Sequence, residues 1–335
     1  MRIRNFLAKA NPAILLMLIL MGAFVPGAAY HANAQELTSV RYMPHWLHQA
    51  QFAGYYMAKE RGIYEQYGLD VTILMGGPNF PAVPTLTEDR AEFTSMFLSG
   101  AIKARARGVK VVDIAQMSQR SALIYIAKKS SGITSPEDFN NKRIGVWRSD
   151  FQELPRAFLN KYDIEAEIVP ITSTVNLFLK DGVDVMCVMW YNEYHQVLNF
   201  GINEDELNVF EFHDHDLDFP EDGIICLEKF YNENTNVCRN FVEASIDGWN
   251  YAFEHKEEAL DLVISYMEAA NIPANRAHQK WMLNRMEDIF KADNGVINVQ
   301  LKKADYDQTA RILLNSAAIE HIPDYDEFNK TSPEK

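Results

Sequence analysis

Apolar and polar positions alternate in short runs between residues 38 and about 230, and the period of the pattern switches repeatedly between that of a strand and that of a helix. Runs rich in β-branched and aromatic residues predict strands. These strands cover 38–43, 69–74, 91–97, 109–117, 122–129, 143–147, 165–171, 183–189, 207–212 and 223–228. Helical spacing fills intervals at 50–64, 80–88, 99–108, 151–161 and 173–180. Alternating strands and helices predict sheets rich in parallel strands and wrapped by helices.

The last third of the chain follows a different pattern. From Asn234 onward, apolar residues recur every three or four positions in successive segments, which predicts helices. A helix-start signal, Thr134 or Ser135 before Pro136 with acids in the first turn, separates two strand–helix series. We therefore predict an α/β protein of the two-lobe clamshell type, with a helical C-terminal region.

The two series define the predicted lobes. Lobe 1 is discontinuous and combines residues 38–125 with 225–320, lobe 2 covers 126–224, and residues 321–335 form a tail. Ligands of open α/β sheets bind beyond the carboxyl ends of the strands. We therefore expect a ligand site in the cleft between the lobes.

The first 34 residues are set apart by their composition. Arg2, Arg4 and Lys9 precede an uncharged apolar stretch at 13–25, and an Ala-Asn-Ala sequence occupies 32–34. A basic start, a short apolar core and an A-x-A site predict a cleavable signal peptide, because the core is too short for a confident membrane span. We expect the rest of the chain to be a soluble periplasmic monomer.

Charge and cysteine content narrow the classes of partner. The 335-residue chain has a formal charge of −14, so nucleic acid would be repelled and is not expected as a partner. Three cysteines do not make a disulfide framework. Cys187 fits a buried apolar position, whereas a bridge between Cys226 and Cys238 stays open in an oxidising compartment.

Aromatic, amide and acidic side chains cluster where the predicted strands begin or end. Nine of them are candidate ligand-binding residues: Trp46, Gln49, Gln119, Trp147, Trp190, Tyr191, Asn192, Glu193 and Asp222. Aromatic rings stack on a flat ring and carboxylates accept its N–H groups, so the set suits a nitrogen-rich heterocycle. Each residue alone also fits a structural role, such as a core tryptophan or a solvated acid. Their joint occurrence favours a binding site.

Motifs of catalysis and metal binding are not evident. The sequence has no G-x-S-x-G, H-E-x-x-H, Walker or G-x-G-x-x-G motif. The HDHDLD stretch at 213–218 has metal-capable side chains, but polar clusters in connecting loops are usually solvated. We predict no catalytic residue, no metal and no cofactor.

Four stretches of the chain resemble a known family: FAGYYMAKERGIYEQYGLDVTIL, GAIKARARGVKVVDIAQ, SSGITSPEDFNNKRIGVW and LKDGVDVMCVMWYNEYHQVLNFG. They are similar to the SsuA/THI5-like family of type II solute-binding proteins, and most similar to its binders of thiamine pyrimidine precursors and riboflavin. The resemblance implies a clamshell that delivers a small heterocycle to the membrane permease of an ABC importer. Trp46, Tyr191 and Glu193 match the binding aromatics and acid of that branch.

The resemblance implies two ligand classes. A thiamine pyrimidine precursor, of the hydroxymethylpyrimidine (HMP) or formylaminopyrimidine type, would lie between Trp46 and Tyr191. The additional aromatics Trp147 and Trp190 would accommodate a wider ring system such as riboflavin. We favour the pyrimidine precursor and retain the flavin as the alternative.

An enzyme of the same family is the third alternative. The resemblance extends to a pyrimidine synthase that consumes pyridoxal phosphate, uses a lysine and a histidine, and carries a cysteine cluster. This chain has Met96 and Gly100 at the places of the lysine and histidine, and only Cys226 where the cluster would fall. The comparison therefore favours a binding protein over the synthase.

Overall fold

Each predicted strand forms in the computed structural model, which describes residues 36–147, 151–291 and 294–331. The strands are β1 (Thr38–Met43), β2 (Leu69–Ile73), β3 (Phe93–Phe97), β4 (Val111–Gln116), β5 (Leu123–Lys128), β6 (Arg143–Val146), β7 (Glu167–Pro170), β8 (Val185–Met189), β9 (Leu207–Glu211) and β10 (Asp222–Leu227). The predicted signal peptide, 1–34, lies outside the described residues. No helix among the described residues is long and apolar enough to cross a membrane.

The helices follow the predicted pattern, with short 3-10 turns at Ala50–Phe52, Lys129–Ser131, Pro136–Phe139, Glu204–Glu206 and Phe212–His215. The α-helices are α1 (Ala53–Glu60), α2 (Ile63–Gln66), α3 (Ala82–Thr87), α4 (Leu98–Ala106), α5 (Glu153–Lys161), α6 (Asn176–Leu179), α7 (Glu193–Asn199), α8 (Glu228–Glu233), α9 (Thr235–Glu254), α10 (Lys256–Ala269), α11 (Arg276–Phe290), α12 (Lys303–Asn315) and α13 (Tyr325–Phe328). Ser135 caps the Pro136–Phe139 turn through a capping box, as its sequence predicts, although the turn is 3-10 rather than α.

The strands form two five-stranded sheets, ordered β2-β1-β3-β10-β4 and β7-β6-β8-β5-β9. Pairs around β1 and β6 are parallel, but β10 and β5 are antiparallel to both of their neighbours. The expectation of parallel-rich sheets therefore holds only away from these two strands. β5 and β10 enter their sheets directly from the other sheet, so they begin at the edge where their neighbours end.

The two sheets are joined by two crossovers, at 117–122 and 212–221. β5 lies wholly in the second sheet and β10 wholly in the first, so the predicted lobe limits near 125 and 224 fall inside these strands. The architecture is the predicted two-lobe α/β clamshell. Which lobe each remaining segment belongs to stays a prediction.

An aromatic core fixes α9 against the first sheet and α1. Phe241 stacks between Phe93 and Tyr64, with ring centroids 4.2 and 5.3 Å apart, and Trp249 is fully buried. The backbones of α1 and α9 approach closely at Gly54 and Gly248. A Cβ on Gly54 would lie 2.2 Å from the Trp249 ring, and one on Gly248 would lie 2.3 Å from the Gly54 carbonyl oxygen. The glycine of the FAGYY sequence is thus required for helix packing.

Gly54→Ala is expected to lower the free energy of unfolding by about 1–3 kcal/mol, the usual cost of overpacking a core. This cost outweighs the roughly 0.5–1 kcal/mol that alanine gains over glycine inside a helix. Chemical denaturation measures the difference. Gly223→Ala is the control, because its Cβ would meet no atom closer than 3.4 Å, and a loss equal to that of Gly54→Ala would contradict this account.

The predicted tail packs against the first sheet over its described part. Phe328 of α13 is fully buried. Asn329 forms an isolated parallel β-bridge with Asp113 of β4, and the backbone N–H of Lys330 donates to the Asp113 carbonyl at 2.8 Å. Residues 325–331 therefore extend the fold rather than hang from it.

The three cysteines are buried free thiols. Burial, followed by the neighbouring Cys238 thiol, raises the pKa of Cys226 well above its usual range. The bridge between Cys226 and Cys238 that the sequence left open is not formed in the structure.

Candidate functional site

The candidate site lies where the strand order of each sheet reverses. In the first sheet β1 is followed in sequence by β2 on one side and is paired with β3 on the other, and in the second sheet β6 stands likewise between β7 and β8. Residues that leave β1, β6 and β8 at such switch points converge on a crevice. Trp46, Trp147 and Tyr191 follow these three strands and line the crevice with aromatic rings.

A small inner cavity of about 30 Å³ occupies this crevice. This volume is about that of one water molecule and well below the roughly 300 Å³ of a typical ligand pocket, so a ligand ring would enter only if the two walls moved apart. Its lining residues are His45, Trp46, Gln49, Gln51, Trp147, Phe151, Met189, Tyr191, Asn192 and Glu193.

A larger outer cleft of about 500 Å³ adjoins the inner cavity. The two share His45, Trp46, Trp147 and Phe151. Most other lining residues of the outer cleft are apolar, and they include Phe80, Val83, Pro84, Met96, Phe97 and Ile171. The shared aromatic residues therefore form the boundary between the inner cavity and the outer cleft.

Phe151 is the centre of that aromatic boundary. Its ring centroid lies 4.8 Å from Phe97, 5.9 Å from Trp46 and 5.9 Å from Trp147, in edge-on or tilted arrangements. Trp46 and Phe97 follow or end strands of the first sheet, whereas Trp147 follows a strand of the second. One side chain thus connects the two halves of the crevice.

Glu193 is the acid of the inner cavity. It begins α7 and is only 3% exposed, so the solvated helix-start acid considered from the sequence is not what forms. Oε2 accepts from the Met189 backbone N–H at 3.2 Å and Oε1 from the Asn192 side-chain amide at 3.0 Å. Burial raises the pKa of Glu193 to about 7. Both oxygens face protein donors, so the carboxylate meets a ligand as an acceptor.

A second polar group lines the opposite wall. Gln49 donates to Gln51 Oε1 at 2.6 Å, and Gln51 donates to Asp222 Oδ2 at 2.9 Å. His45 Nε2 lies 3.6 Å from Asp222 Oδ1. Asp222 is therefore not among the residues that line the cavity; it contacts Gln51 and His45, which are.

His45 also contacts a serine, which raises the question of a nucleophile. Ser95 Oγ accepts from the His45 backbone N–H at 2.9 Å and lies 2.9 Å from His45 Nδ1. The other ring nitrogen, Nε2, faces Asp222 Oδ1 and Gln51 Nε2, which lies 3.4 Å away. Ser95 is 1% exposed, so it positions the imidazole and is not presented to a substrate.

Six of the nine predicted residues line the inner cavity together: Trp46, Gln49, Trp147, Tyr191, Asn192 and Glu193. Gln119 instead donates to the carbonyls of Gln116 and Asn298 at the crossover. Trp190 is covered by the guanidinium groups of Arg120 and Arg285 and accepts, through its carbonyl, from Trp281. That any of these residues binds a ligand stays a prediction.

His45, Gln51, Phe151 and Met189 line the cavity but were not among the nine candidates. Gln51 follows Gln49 by two positions within one turn, and Phe151 follows Trp147 by four at the start of a predicted helix. Both therefore lie within about one helical turn of a residue that the strand-end pattern identifies. The place of Met189 in the cavity could not be predicted, because an apolar residue at the end of a buried strand is expected in the hydrophobic core.

The histidines of the HDHDLD stretch at 213–218 contact neighbouring side chains. His213 lies within 3.4 Å of Glu211 and 3.1 Å of Asp214, and the Tyr162 hydroxyl contacts His215 Nδ1 at 2.5 Å. Within 36–147, 151–291 and 294–331, no three His, Cys, Asp or Glu side chains are arranged to hold a metal ion.

Solved structures of similar fold include binding proteins and an enzyme. The periplasmic aliphatic sulphonate-binding protein SsuA of Escherichia coli matches with a TM-score of 0.66 and 13% identity, over 87% of this chain and 96% of that one. The desulfurization enzyme DszB matches with a TM-score of 0.59 and 14% identity, over 89% and 97%. These similarities establish the periplasmic-binding-protein fold, which serves binding proteins and also an enzyme.

Two characterised relatives are more similar in sequence, and both are binding proteins. The riboflavin-binding protein RibY of Chloroflexus aurantiacus is 25% identical over 75% of this chain and 73% of its own length. A formylaminopyrimidine-binding protein of Halalkalibacterium halodurans is 22% identical over 79% and 81%. The NMT1/THI5-like family model matches residues 49–259, which contain most of the cavity lining. The chain belongs to the NMT1/THI5-like family.

Proposed function

We propose that this protein is the periplasmic solute-binding component of an ABC importer and that it captures a thiamine pyrimidine precursor. The observation that carries the proposal is the set of residues that line the crevice, in which aromatic rings surround the buried carboxylate of Glu193. Trp46 and Tyr191 would contact the faces of the ring, at roughly 0.5–1.5 kcal/mol per stacked pair beyond area burial. The permease of the importer would be the partner.

The hydrogen-bonding character of Glu193 supports an aminopyrimidine. Both oxygens already accept from protein N–H groups, so each offers its remaining lone pair to a donor on the ligand. An amino group beside a protonated ring nitrogen provides two parallel donors, the bidentate geometry that carboxylates favour. A ligand that presents an imide edge, with one N–H between two carbonyl groups, would instead place carbonyl oxygens towards the carboxylate.

Riboflavin is the second candidate, and the outer cleft favours it. A ring system wider than a pyrimidine would extend past Trp46 and Trp147 into this apolar space. The relative that binds riboflavin supports this alternative, as the formylaminopyrimidine binder supports the first. The synthase alternative is opposed by Met96, which lies in the outer cleft where the synthase would have its lysine.

Isothermal titration calorimetry with HMP, formylaminopyrimidine and riboflavin tests the proposal. We expect tight binding of an aminopyrimidine, accompanied by a change in tryptophan fluorescence because Trp46 and Trp147 line the cavity. Tight binding of riboflavin alone would replace the ligand and retain the transport function. Failure of all three, together with formation of an internal aldimine by pyridoxal phosphate, would contradict the proposal.

A further inference from the structure

Helix α11 contacts both walls of the inner cavity through consecutive residues. Gln279 Oε1 accepts from the backbone N–H of Ala50, next to the glutamines of the first wall, at 2.7 Å. His278 Nε2 lies 3.0 Å from Asn192 Oδ1 on the opposite wall. The helix lies outside the family match at 49–259.

The contacts from His278 and Gln196 together fix the orientation of the Asn192 amide. Two donors meet Asn192 Oδ1, namely His278 Nε2 and Gln196 Nε2, each at 3.0 Å. The amide NH₂ group must then face the other way, where it donates to Glu193 Oε1 at 3.0 Å. Asn192 is 8% exposed, so water does not replace these partners freely.

The ring of His278 is itself held in one tautomer. Its Nδ1 lies 2.9 Å from Nδ1 of His195, and the two rings are stacked 5.2 Å apart. Because Nε2–H of His278 donates to Asn192, Nδ1 of the neutral His278 ring carries no hydrogen; it faces His195 Nδ1, which Asn199 Nδ2 also approaches to 3.2 Å. Burial, followed by the charge of His195, lowers the pKa of His278 to about 4, so the neutral ring persists at neutral pH. Stacking of His195 on Trp281, 4.7 Å apart, anchors the pair.

We infer that His278 is a positioning residue of the ligand site: together with Gln196 it holds the Asn192 amide so that its NH₂ group faces Glu193 and fixes that carboxylate as the acceptor for the ligand. The inference deepens the proposed function and rests on it only where ligand affinity is measured. His278 itself does not line the cavity, and its effect reaches the ligand through Asn192 and Glu193.

Two variants of equal length separate a hydrogen-bonding role from a packing role. His278→Gln keeps an N–H donor near the position of Nε2, whereas His278→Met keeps the bulk and has no donor. A donor to a carboxylate favours its charged form. We therefore expect the pKa of Glu193, followed by carbon-13 NMR of its carboxyl carbon without ligand, to rise above about 7 in His278→Met and to stay near the wild-type value in His278→Gln. Glu193→Gln identifies the resonance.

The second readout is the affinity for HMP. His278→Met should bind HMP about tenfold more weakly, the effect of one lost hydrogen bond to a charged group, and His278→Gln should regain most of that loss. The exposed His255 provides the control His255→Met, for which neither readout should change.

A Glu193 titration that is the same in wild type and in a folded His278→Met variant would overturn the inference. So would equal losses of affinity in His278→Gln and His278→Met. If the wild-type protein binds no HMP, the proposed ligand fails, and the ligand-free titration still decides the role of His278.

Discussion

Replacing Glu193 with glutamine is expected to weaken HMP binding by about ten- to a hundredfold without lowering stability at pH 8. Hydrogen bonds to charged groups contribute about 1.5–3 kcal/mol, and about 1.4 kcal/mol corresponds to a factor of ten in affinity. Glutamine offers one oxygen, and its NH₂ group would face either the Met189 N–H or the Asn192 amide, both of which are donors. Stability is retained because the buried carboxylate is itself costly when ionised. Calorimetry and thermal unfolding measure the two effects.

Glu221 provides the matched control for this substitution. It is 4% exposed, and Oε1 accepts from the Ser121 hydroxyl at 2.5 Å and from the backbone N–H of Ala122 at 3.0 Å, at the crossover between the sheets. Glu221→Gln should therefore alter stability and leave the affinity for HMP close to that of the wild type. Equal losses of affinity in both variants would mean that Glu193 acts through the fold and not through ligand contact.

The free energy of unfolding is expected to fall as the pH rises from 6.5 to 8, the opposite of the behaviour of most salt-bridged carboxylates. Burial raises the pKa of Asp113 to about 8, of Glu221 to about 8 and of Glu193 to about 7. In the unfolded chain these groups ionise near 4, so only the folded protein holds their protons in this range. A raised folded-state pKa stabilises at low pH, and that contribution is lost as the pH rises through the folded value.

Each carboxyl that is protonated only in the folded state contributes a slope of about 1.4 kcal/mol per pH unit. His278, with its pKa lowered to about 4, contributes the opposite slope, but only below its unfolded value near 6.5. Chemical denaturation between pH 6.5 and 8 at constant ionic strength tests the sign. Asp113→Asn should reduce the slope, and stability that increases with pH in the wild type would contradict the assignment.

Most of the fold was predictable because its strands are marked by local pattern. All ten strands form close to their predicted limits, since the buried strands are short apolar runs flanked by polar turns. The direction of β5 and β10 was not predictable from those runs. It depends on the point at which the chain crosses from one sheet to the other, which local sequence does not encode.

The site was predictable where residues directly follow strands that end at the crevice. Tyr191, Asn192 and Glu193 meet this condition and line the cavity together. Trp190 precedes Tyr191 by one residue and lies instead between two arginines, because successive residues at a strand end point to opposite sides. His278 could not be found in this way, since it reaches the site from a helix more than eighty residues further along the chain.

The most direct test of the binding-site assignment is native mass spectrometry of freshly purified protein, followed by identification of any small molecule that it releases. The account predicts a planar nitrogen heterocycle with N–H donors, of the aminopyrimidine class, that is lost in Glu193→Gln. A ligand without an aromatic ring, such as an aliphatic sulphonate, retained equally by wild type and Glu193→Gln, would contradict it.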